Sequence, residues 1–115
     1  MSHVDVCAAA DVPDGAALRV LVGEYAVALA RCEGEIRGVL DVCSHADVAL
    51  SEGEVDDCSI ECWLHGSRFD LRTGEALSLP ATAPVPVFEV VVSGDGADAR
   101  VLVGEHPVSL PQHAE

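Results

Sequence analysis

Two short clusters of potential metal ligands constrain this chain more than any other feature of its sequence. The first is Cys43-Ser44-His45 and the second is Cys62-Trp63-Leu64-His65, with sixteen residues between them. Each cluster offers one thiolate and one imidazole within a few consecutive residues. Strand-like residues flank both clusters, so we expect two hairpin-like loops to bring the four side chains together.

The order of the ligands along the chain favours one kind of metal centre over another. Two sulfurs and two nitrogens satisfy a tetrahedral zinc ion, but zinc modules usually place cysteine near cysteine and histidine near histidine. Here each cluster mixes the two types, which suits a binuclear centre with two thiolates on one iron and two imidazoles on the other. That ligand set is the one in a Rieske [2Fe–2S] centre. A structural zinc site stays open as the alternative.

The composition predicts one small domain, residues 1–115, and restricts its partners. Half of the residues are hydrophobic, which supplies a core for a chain of this length. The net charge is −14, with six arginines and no lysine. Nucleic acid and anionic membrane surfaces repel such a chain, so we expect neither as a partner. Protein partners and small cations are favoured instead.

Several features predict a soluble, cytoplasmic protein. Residues 1–5 lack the basic and apolar regions of a secretory signal, and no segment approaches the ~20 apolar residues of a membrane span. Five cysteines, an odd number, argue against a framework of disulfides. Outside the two clusters we expect Cys7, Cys32 and Cys58 to be small buried hydrophobic residues.

Apolar alternation and regularly spaced turns predict an all-β chain. Turns that contain glycine recur every 8–12 residues or so, a spacing typical of antiparallel sandwiches and barrels. A helix over residues 16–30 stays open, because alanine and leucine favour helices. Three prolines within residues 80–86 predict an ordered loop rather than a central strand. The predicted strands cover residues 4–10, 18–22, 25–29, 36–42, 55–61, 87–92 and 100–103, and residues 104–115 are predicted to form a tail.

The two clusters resemble the cluster-binding boxes of Rieske proteins. The resemblance rests on Cys43-Ser44-His45 and on residues 62–70, whose sequence is Cys-Trp-Leu-His-Gly-Ser-Arg-Phe-Asp. It extends to Thr73-Gly74-Glu75 and to the proline-rich residues 80–84, and it covers about residues 18–103. The resemblance implies a Rieske fold, an antiparallel β-sandwich or barrel that carries a cluster-binding subdomain. That subdomain, about residues 43–84, would consist of two ligand loops and a proline loop.

The resemblance also implies the roles of individual residues. Cys43 and Cys62 are expected to bind the inner iron, and His45 and His65 the outer iron. Around the cluster we expect Ala46, Trp63, Leu64, Gly66, Ser67, Phe69 and Pro84. The surface that meets partners is expected to include His45, His65, Trp63 and Pro84. Trp63 is predicted to pack over its loop, with a solvent-facing position as the alternative. Gly66 is predicted to permit a tight turn or to donate its N–H to a cluster sulfide, and Asp70 to cap a turn or pair with Arg72 or Arg68.

Within the Rieske family, the small size and the second box resemble the ferredoxins of bacterial multicomponent aromatic-ring dioxygenases. Such ferredoxins take one electron from a flavoprotein NAD(P)H-dependent reductase and pass it to a terminal Rieske non-haem iron oxygenase. The resemblance implies an electron carrier with one [2Fe–2S] cluster and no substrate chemistry of its own. Three alternatives stay open: a Rieske-like subunit of an enzyme such as nitrite reductase, a companion of iron–sulfur assembly, and a zinc-stabilised binding module.

Two departures from the high-potential Rieske type predict a low reduction potential. That type has an extra cysteine in each ligand loop, joined in a disulfide, where this chain has Val48 and Leu64. It also has a tyrosine that donates to sulfur, where this chain has Phe69. Because hydrogen bonds to sulfur stabilise the reduced cluster, we expect a potential of roughly −150 mV in a redox titration. A potential above zero would contradict this prediction.

Overall fold

The computed structural model describes residues 3–43, 48–64, 66–79 and 83–108, and its regular structure is almost entirely antiparallel β-sheet. No helix in these ranges is long and apolar enough to cross a membrane. They contain 3₁₀ turns at Ala9–Asp11, Leu50–Glu52 and Gly96–Asp98. Their strands are β1 (His3–Ala8), β2 (Leu18–Val22), β3 (Tyr25–Cys32), β4 (Glu35–Leu40), β5 (Val55–Asp56), β6 (Ser59–Glu61), β7 (Arg68–Asp70), β8 (Val87–Phe88), β9 (Val90–Ser93) and β10 (Arg100–Gly104).

These strands form three antiparallel sheets. Two of them, in the orders β2-β3-β4-β8 and β1-β10-β9, make up the base of the molecule, and β5-β6-β7 forms a smaller third sheet. The prediction of an all-β antiparallel chain is therefore confirmed. The helical alternative over residues 16–30 is wrong, because β2 and β3 form a hairpin in which Val22 pairs with Tyr25.

Strand β3 is buried on both faces and contributes to two separate cores. Successive side chains of a strand point to opposite faces. Val27 and Leu29 accordingly join the core between the two base sheets. Ala28 and Ala30 join a second core with residues of the smaller sheet. The short alanine side chains on this second face allow the smaller sheet to approach β3 closely.

The segment predicted as one strand over residues 55–61 is a tight hairpin instead. Strands β5 and β6 pair through Val55 with Ile60 and Asp56 with Ser59. Asp57 and Cys58 form the turn between them, with φ values of 51° and 59°. A two-residue turn with positive φ at both positions matches the twist of paired strands, but it usually requires glycine or asparagine. The sequence Asp-Cys does not carry that signal, so the turn was not predicted.

The segment predicted as one strand over residues 87–92 belongs to two different sheets. β8 pairs with β4, whereas β9 pairs with β10. The change occurs at Glu89, whose side chain is exposed and whose carbonyl accepts the N–H of Gly104 at 2.9 Å. The predicted tail starts at Gly104, which still belongs to β10, and Val108 further along donates its N–H to the carbonyl of Val87 at 2.8 Å.

Two of the three cysteines outside the ligand clusters do not have the predicted role. Cys32 and Cys58 are buried, but they form a disulfide with their Cα atoms 4.7 Å apart. The prediction of isolated buried thiols is wrong for this pair because the β5–β6 turn, which places Cys58 against the end of β3, was not foreseen. Cys7 is partly buried and outside any disulfide.

Gly53 allows the 3₁₀ turn at Leu50–Glu52 to pack against the end of β6. A Cβ atom at Gly53 would overlap the carbonyl oxygen of Glu61, which immediately precedes Cys62. The φ of Gly53 is −94°, so the restriction is one of space rather than of backbone conformation.

We expect Gly53→Ala to lower the free energy of unfolding by about 2 kcal/mol, because the methyl group must displace backbone. Urea unfolding followed by circular dichroism measures the change. Gly104→Ala is the matched control, since its nearest neighbour atom would lie 3.8 Å away, at ordinary contact distance. Equal stability of the two variants would contradict the close packing at Gly53.

Candidate metal centre

The two predicted cysteine ligands lie in the same core. Cys43 is 2% exposed and Cys62 is fully buried, and both belong to the core that contains Phe69 and Val85. Neither cysteine takes part in a disulfide. Buried thiols in one core, each at the start of a predicted ligand loop, have the chemistry that an iron–sulfur cluster requires of its cysteine donors. The two cysteines, which are the predicted ligands that the structure describes, therefore fit such a cluster.

The first loop is closed by a backbone hydrogen bond between its two ends. Cys43 donates its N–H to the carbonyl of Val48 at 2.9 Å, across the segment 44–47. His45 and Ala46 were predicted as a ligand and a cluster neighbour, and both lie outside the described residues.

The second loop is closed by two backbone hydrogen bonds. Cys62 donates to the carbonyl of Ser67 at 2.7 Å and accepts from the N–H of Gly66 at 2.8 Å. Gly66 has a φ of 79°, a left-handed conformation that glycine adopts without penalty. The predicted tight turn at Gly66 is confirmed, and Ser67 is fully buried behind it. The predicted ligand His65 lies outside the described residues.

Trp63 faces solvent, the alternative to the favoured packing over its loop. Its side chain is 51% exposed, and that of its neighbour Leu64 is 42% exposed. The reason is the shape of the loop. Cys62 and Ser67 are tied together and buried, so the turn residues 63 and 64 between them face outward.

Phe69 and Asp70 connect the second loop to its surroundings in different ways. Phe69 is fully buried in the core that contains Cys43 and Cys62, which is consistent with its predicted position near the cluster. Asp70 accepts the backbone N–H of Arg72 at 2.7 Å and lies 3.3 Å from the Arg72 Nε. The predicted turn cap and ion pair at Asp70 are both confirmed.

A third segment, residues 74–85, is closed at its ends and joined to the strand that leaves the second loop. Val85 donates its N–H to the carbonyl of Gly74 at 2.8 Å, which joins the two ends of the segment. Leu77 donates its N–H to the carbonyl of Arg68 in β7 at 2.7 Å. Pro84 is half-buried beside the Val85–Gly74 bond, and residues 80–82 of the predicted proline loop lie outside the described residues.

A buried carboxylate that sequence reasoning missed holds the start of the first loop. Asp41 is 1% exposed and lies two residues before Cys43. One of its oxygens accepts the backbone N–H of Ser51 at 2.6 Å, and the other accepts the Ser51 hydroxyl at 2.6 Å. The Arg19 guanidinium donates to the second oxygen at 3.2 Å. Asp41 therefore joins the chain before the first loop to the chain after it. A carboxylate at the end of an apolar strand, two residues from a ligand, is the signal that could have revealed it.

Another group of ligand-type side chains occurs among the residues that the structure describes. Donor atoms of Cys32, Glu33 and Cys58 lie within 4.8 Å of one another. The two sulfurs are bonded to each other, so this group is a disulfide beside a carboxylate and not part of the predicted centre.

Comparison with known proteins gives consistent matches. The family model for the Rieske [2Fe-2S] domain matches residues 2–89 of this sequence. The 3-phenylpropionate/cinnamic acid dioxygenase ferredoxin subunit of Escherichia coli K12 is 43% identical over 95 residues, 82% of this chain and 89% of that protein. A chain in the complex of reduced oxygenase and oxidized ferredoxin in carbazole 1,9a-dioxygenase matches with a TM-score of 0.81 and 37% identity, over 91% of this chain and 94% of the other. The carbazole 1,9a-dioxygenase ferredoxin of Nocardioides aromaticivorans IC177 matches with a TM-score of 0.80 and 31% identity, over 97% and 100% of the two chains.

The fold and the buried cysteine pair, together with these matches, define the class of protein: the chain belongs to the Rieske [2Fe-2S] domain family. The domain implies one [2Fe–2S] cluster. Within the family it is a ferredoxin, an electron carrier rather than a catalytic component. The nitrite reductase, iron–sulfur assembly and zinc-module alternatives are not favoured.

We expect Asp41→Ala to lower the free energy of unfolding by about 3 kcal/mol, because it leaves the part-buried donors of Ser51 without their acceptor. Chemical unfolding of the purified protein measures the loss. Asp14→Ala removes an exposed carboxylate and should change stability by no more than about 0.5 kcal/mol. Similar small effects of both substitutions would contradict the role of Asp41.

Proposed function

We propose that this ferredoxin carries single electrons from a flavoprotein NAD(P)H-dependent reductase to a terminal Rieske non-haem iron oxygenase that acts on an aromatic compound. The observation that carries the proposal is the match, over nearly the whole of both chains, to a chain in an oxygenase–ferredoxin complex. The 43% identity to a dioxygenase ferredoxin subunit supports the same system. The cluster, when bound, supplies the chemistry by accepting and releasing one electron.

The proposed ligands are Cys43 and Cys62 for one iron and His45 and His65 for the other. Burial of the two cysteines supports this assignment, because a buried thiolate pair keeps water away from the inner iron. The histidines follow the cysteines by two and three residues, within loops whose ends are joined by backbone hydrogen bonds. Those bonds fix the start and the end of each ligand segment.

The proposed docking surface surrounds the second loop and comprises His45, His65, Trp63 and Pro84. Its support is an unusual concentration of exposed apolar side chains close in sequence to the ligands. Trp63 and Leu64 are about half exposed, and Leu77, whose N–H bonds to the strand that leaves the loop, is 52% exposed. Contiguous exposed apolar patches mark places where partners bind, and these side chains are proposed to form one. A small patch of this kind suits the short-lived contacts of electron transfer.

We further propose that residues 1–115 act as one domain in the cytoplasm, with the cluster-binding part at about residues 43–84. Both cores share strand β3, which supports a single unit. The net charge of −14 supports protein partners rather than nucleic acid or anionic membranes.

Electron delivery to an oxygenase tests the function. Purified protein should be red-brown, show a rhombic EPR signal of low average g when reduced, and be reduced by NAD(P)H only when a flavoprotein reductase is present. Adding it to the reductase and a dioxygenase component should start substrate turnover. A colourless zinc-containing protein, or turnover at the same rate without it, would contradict the proposal.

His65→Ala tests the ligand assignment in the same assay. We expect the Rieske EPR signal to be lost and the turnover rate to fall by roughly tenfold or more, because a ligand substitution weakens metal binding. His106→Ala is the control, since His106 is an exposed histidine outside the two boxes. A His65→Ala protein with the normal signal and rate would exclude His65 as a ligand.

A further inference from the structure

A disulfide connects the base of the molecule to the sheet that leads into the second ligand loop. Cys32 is the last residue of β3, and Cys58 lies in the turn between β5 and β6. Strand β3 and the β5–β6 hairpin belong to different sheets, and the bond joins residues 26 apart in sequence. Neither sulfur of this bond belongs to the proposed cluster ligands.

The disulfide acts close to the proposed ligand Cys62. Strand β6 is three residues long and runs from Cys58 directly to Cys62. The carbonyl of Cys58 also accepts the N–H of Leu71 at 2.9 Å, which ties it to the chain after β7. A short extended strand transmits a displacement of one end to the other. A change at Cys58 therefore reaches Cys62 through three residues.

The backbone at Cys58 is strained, and the disulfide helps to hold it. Asp57 and Cys58 both have left-handed φ values, 51° and 59°, and neither is glycine. Residues other than glycine adopt this conformation at a cost in free energy, and they keep it only where the surroundings enforce it. The covalent bond to Cys32 is one such constraint. Breaking it removes that constraint and allows the turn to relax.

The disulfide is buried only a short distance below the protein surface. The two sulfur-bearing residues are 3% and 7% exposed, but Glu33, Gly34 and Asp57, which adjoin them in sequence, are exposed. The disulfide therefore lies directly beneath two surface turns, where a small dithiol needs only local opening to reach it. Disulfides in reducing compartments are usually redox-sensing or catalytic, which favours a bond that opens and closes over a permanent one.

We propose that Cys32 and Cys58 form a reversible thiol–disulfide site that controls how firmly the ferredoxin retains its cluster. A dithiol reductant donates two electrons and two protons, so the Cys32–Cys58 bond breaks, two thiols form, and the reductant becomes a disulfide. In the reduced form the β5–β6 turn relaxes, β6 is held less firmly, and Cys62 is no longer fixed from the Cys58 side. Reoxidation reverses each step. The proposal depends on the assignment of Cys62 as a ligand, but not on the identity of the redox partners.

The test compares cluster loss from the holoprotein in its two thiol states. Wild-type protein is treated with dithiothreitol or left oxidised, the state is verified by alkylation and mass spectrometry, and visible absorbance follows cluster loss in dilute guanidinium. We expect the cluster to be lost on the order of tenfold faster from the reduced form, because the disulfide cross-link restricts opening of the protein around the cluster. Reoxidation should restore the slow rate. Equal rates in the two forms, or a bond that dithiothreitol cannot open in the folded protein, would overturn the proposal.

Two variants separate the disulfide from other effects of the reductant. The double variant Cys32→Ser/Cys58→Ser should lose its cluster at the fast rate with or without dithiothreitol. Acceleration of this variant by dithiothreitol, equal to that of wild type, would mean direct attack on the cluster and would also overturn the proposal. Cys7→Ser is the control and should match wild type in both states, since burial and the nearby Asp11 raise the pKa of the Cys7 thiol and keep it protonated. If the double variant does not fold, the wild-type comparison decides alone.

The cluster-loss comparison and the EPR test of His65→Ala together separate this proposal from the proposed function. Failure of the ligand assignment appears as a normal EPR signal in His65→Ala, whatever the state of the disulfide. Failure of the thiol–disulfide site appears as equal rates of cluster loss in a protein that still carries electrons.

Discussion

Burial of β3 on both faces is the constraint on which the rest of the structure depends. A strand covered on one side only can place polar residues on the other, but β3 must be apolar throughout its centre. Its larger side chains, Val27 and Leu29, fill the base, and its alanines leave room for the smaller sheet. The smaller sheet, which leads into the second proposed ligand loop, is therefore packed directly against the strand that organises the base. The same packing holds Cys43 and Cys62, each at the start of a proposed ligand loop, in one core.

The ligand segments are held mainly by backbone hydrogen bonds at their ends. Cys43 bonds to Val48 across the first segment, and Cys62 bonds to Ser67 across the second. Asp41 adds a buried side-chain link around the first segment. Because these contacts do not involve the metal, the polypeptide itself defines where each ligand segment begins and ends. Such preorganisation reduces the conformational entropy that ordering a loop would otherwise cost when the cluster binds.

Much of the fold and the identity of the centre could be predicted from the sequence, because both depend on local patterns. Alternation of apolar residues gave the strands of the base, and the mixed order of cysteine and histidine distinguished the binuclear centre from zinc. The hairpin at Asp57 and Cys58 was missed because its residues carry none of the usual turn signals. The disulfide was missed for the same reason, since only that turn brings Cys58 to Cys32.

Other features depend on contacts between distant parts of the chain. The position of Asp41 at the end of an apolar strand marks it as unusual, but nothing in the sequence indicates that Ser51 is the residue that returns to it. The sequence left Trp63 open between packing over its loop and facing solvent, and the closed loop turns it outward. The ligand assignments themselves remain predictions, since His45 and His65 lie outside the described residues.

The exposure of Trp63 has a practical consequence for the study of this ferredoxin. Trp63 is the single tryptophan of the chain, and it adjoins the proposed ligand Cys62. Its fluorescence therefore originates from one known position, on the loop that is proposed to meet both partners. Emission from a half-exposed indole responds to solvent, to a nearby metal centre and to a covering surface. The native chain thus carries its own optical reporter of cluster occupancy and of complex formation, and no introduced label is needed.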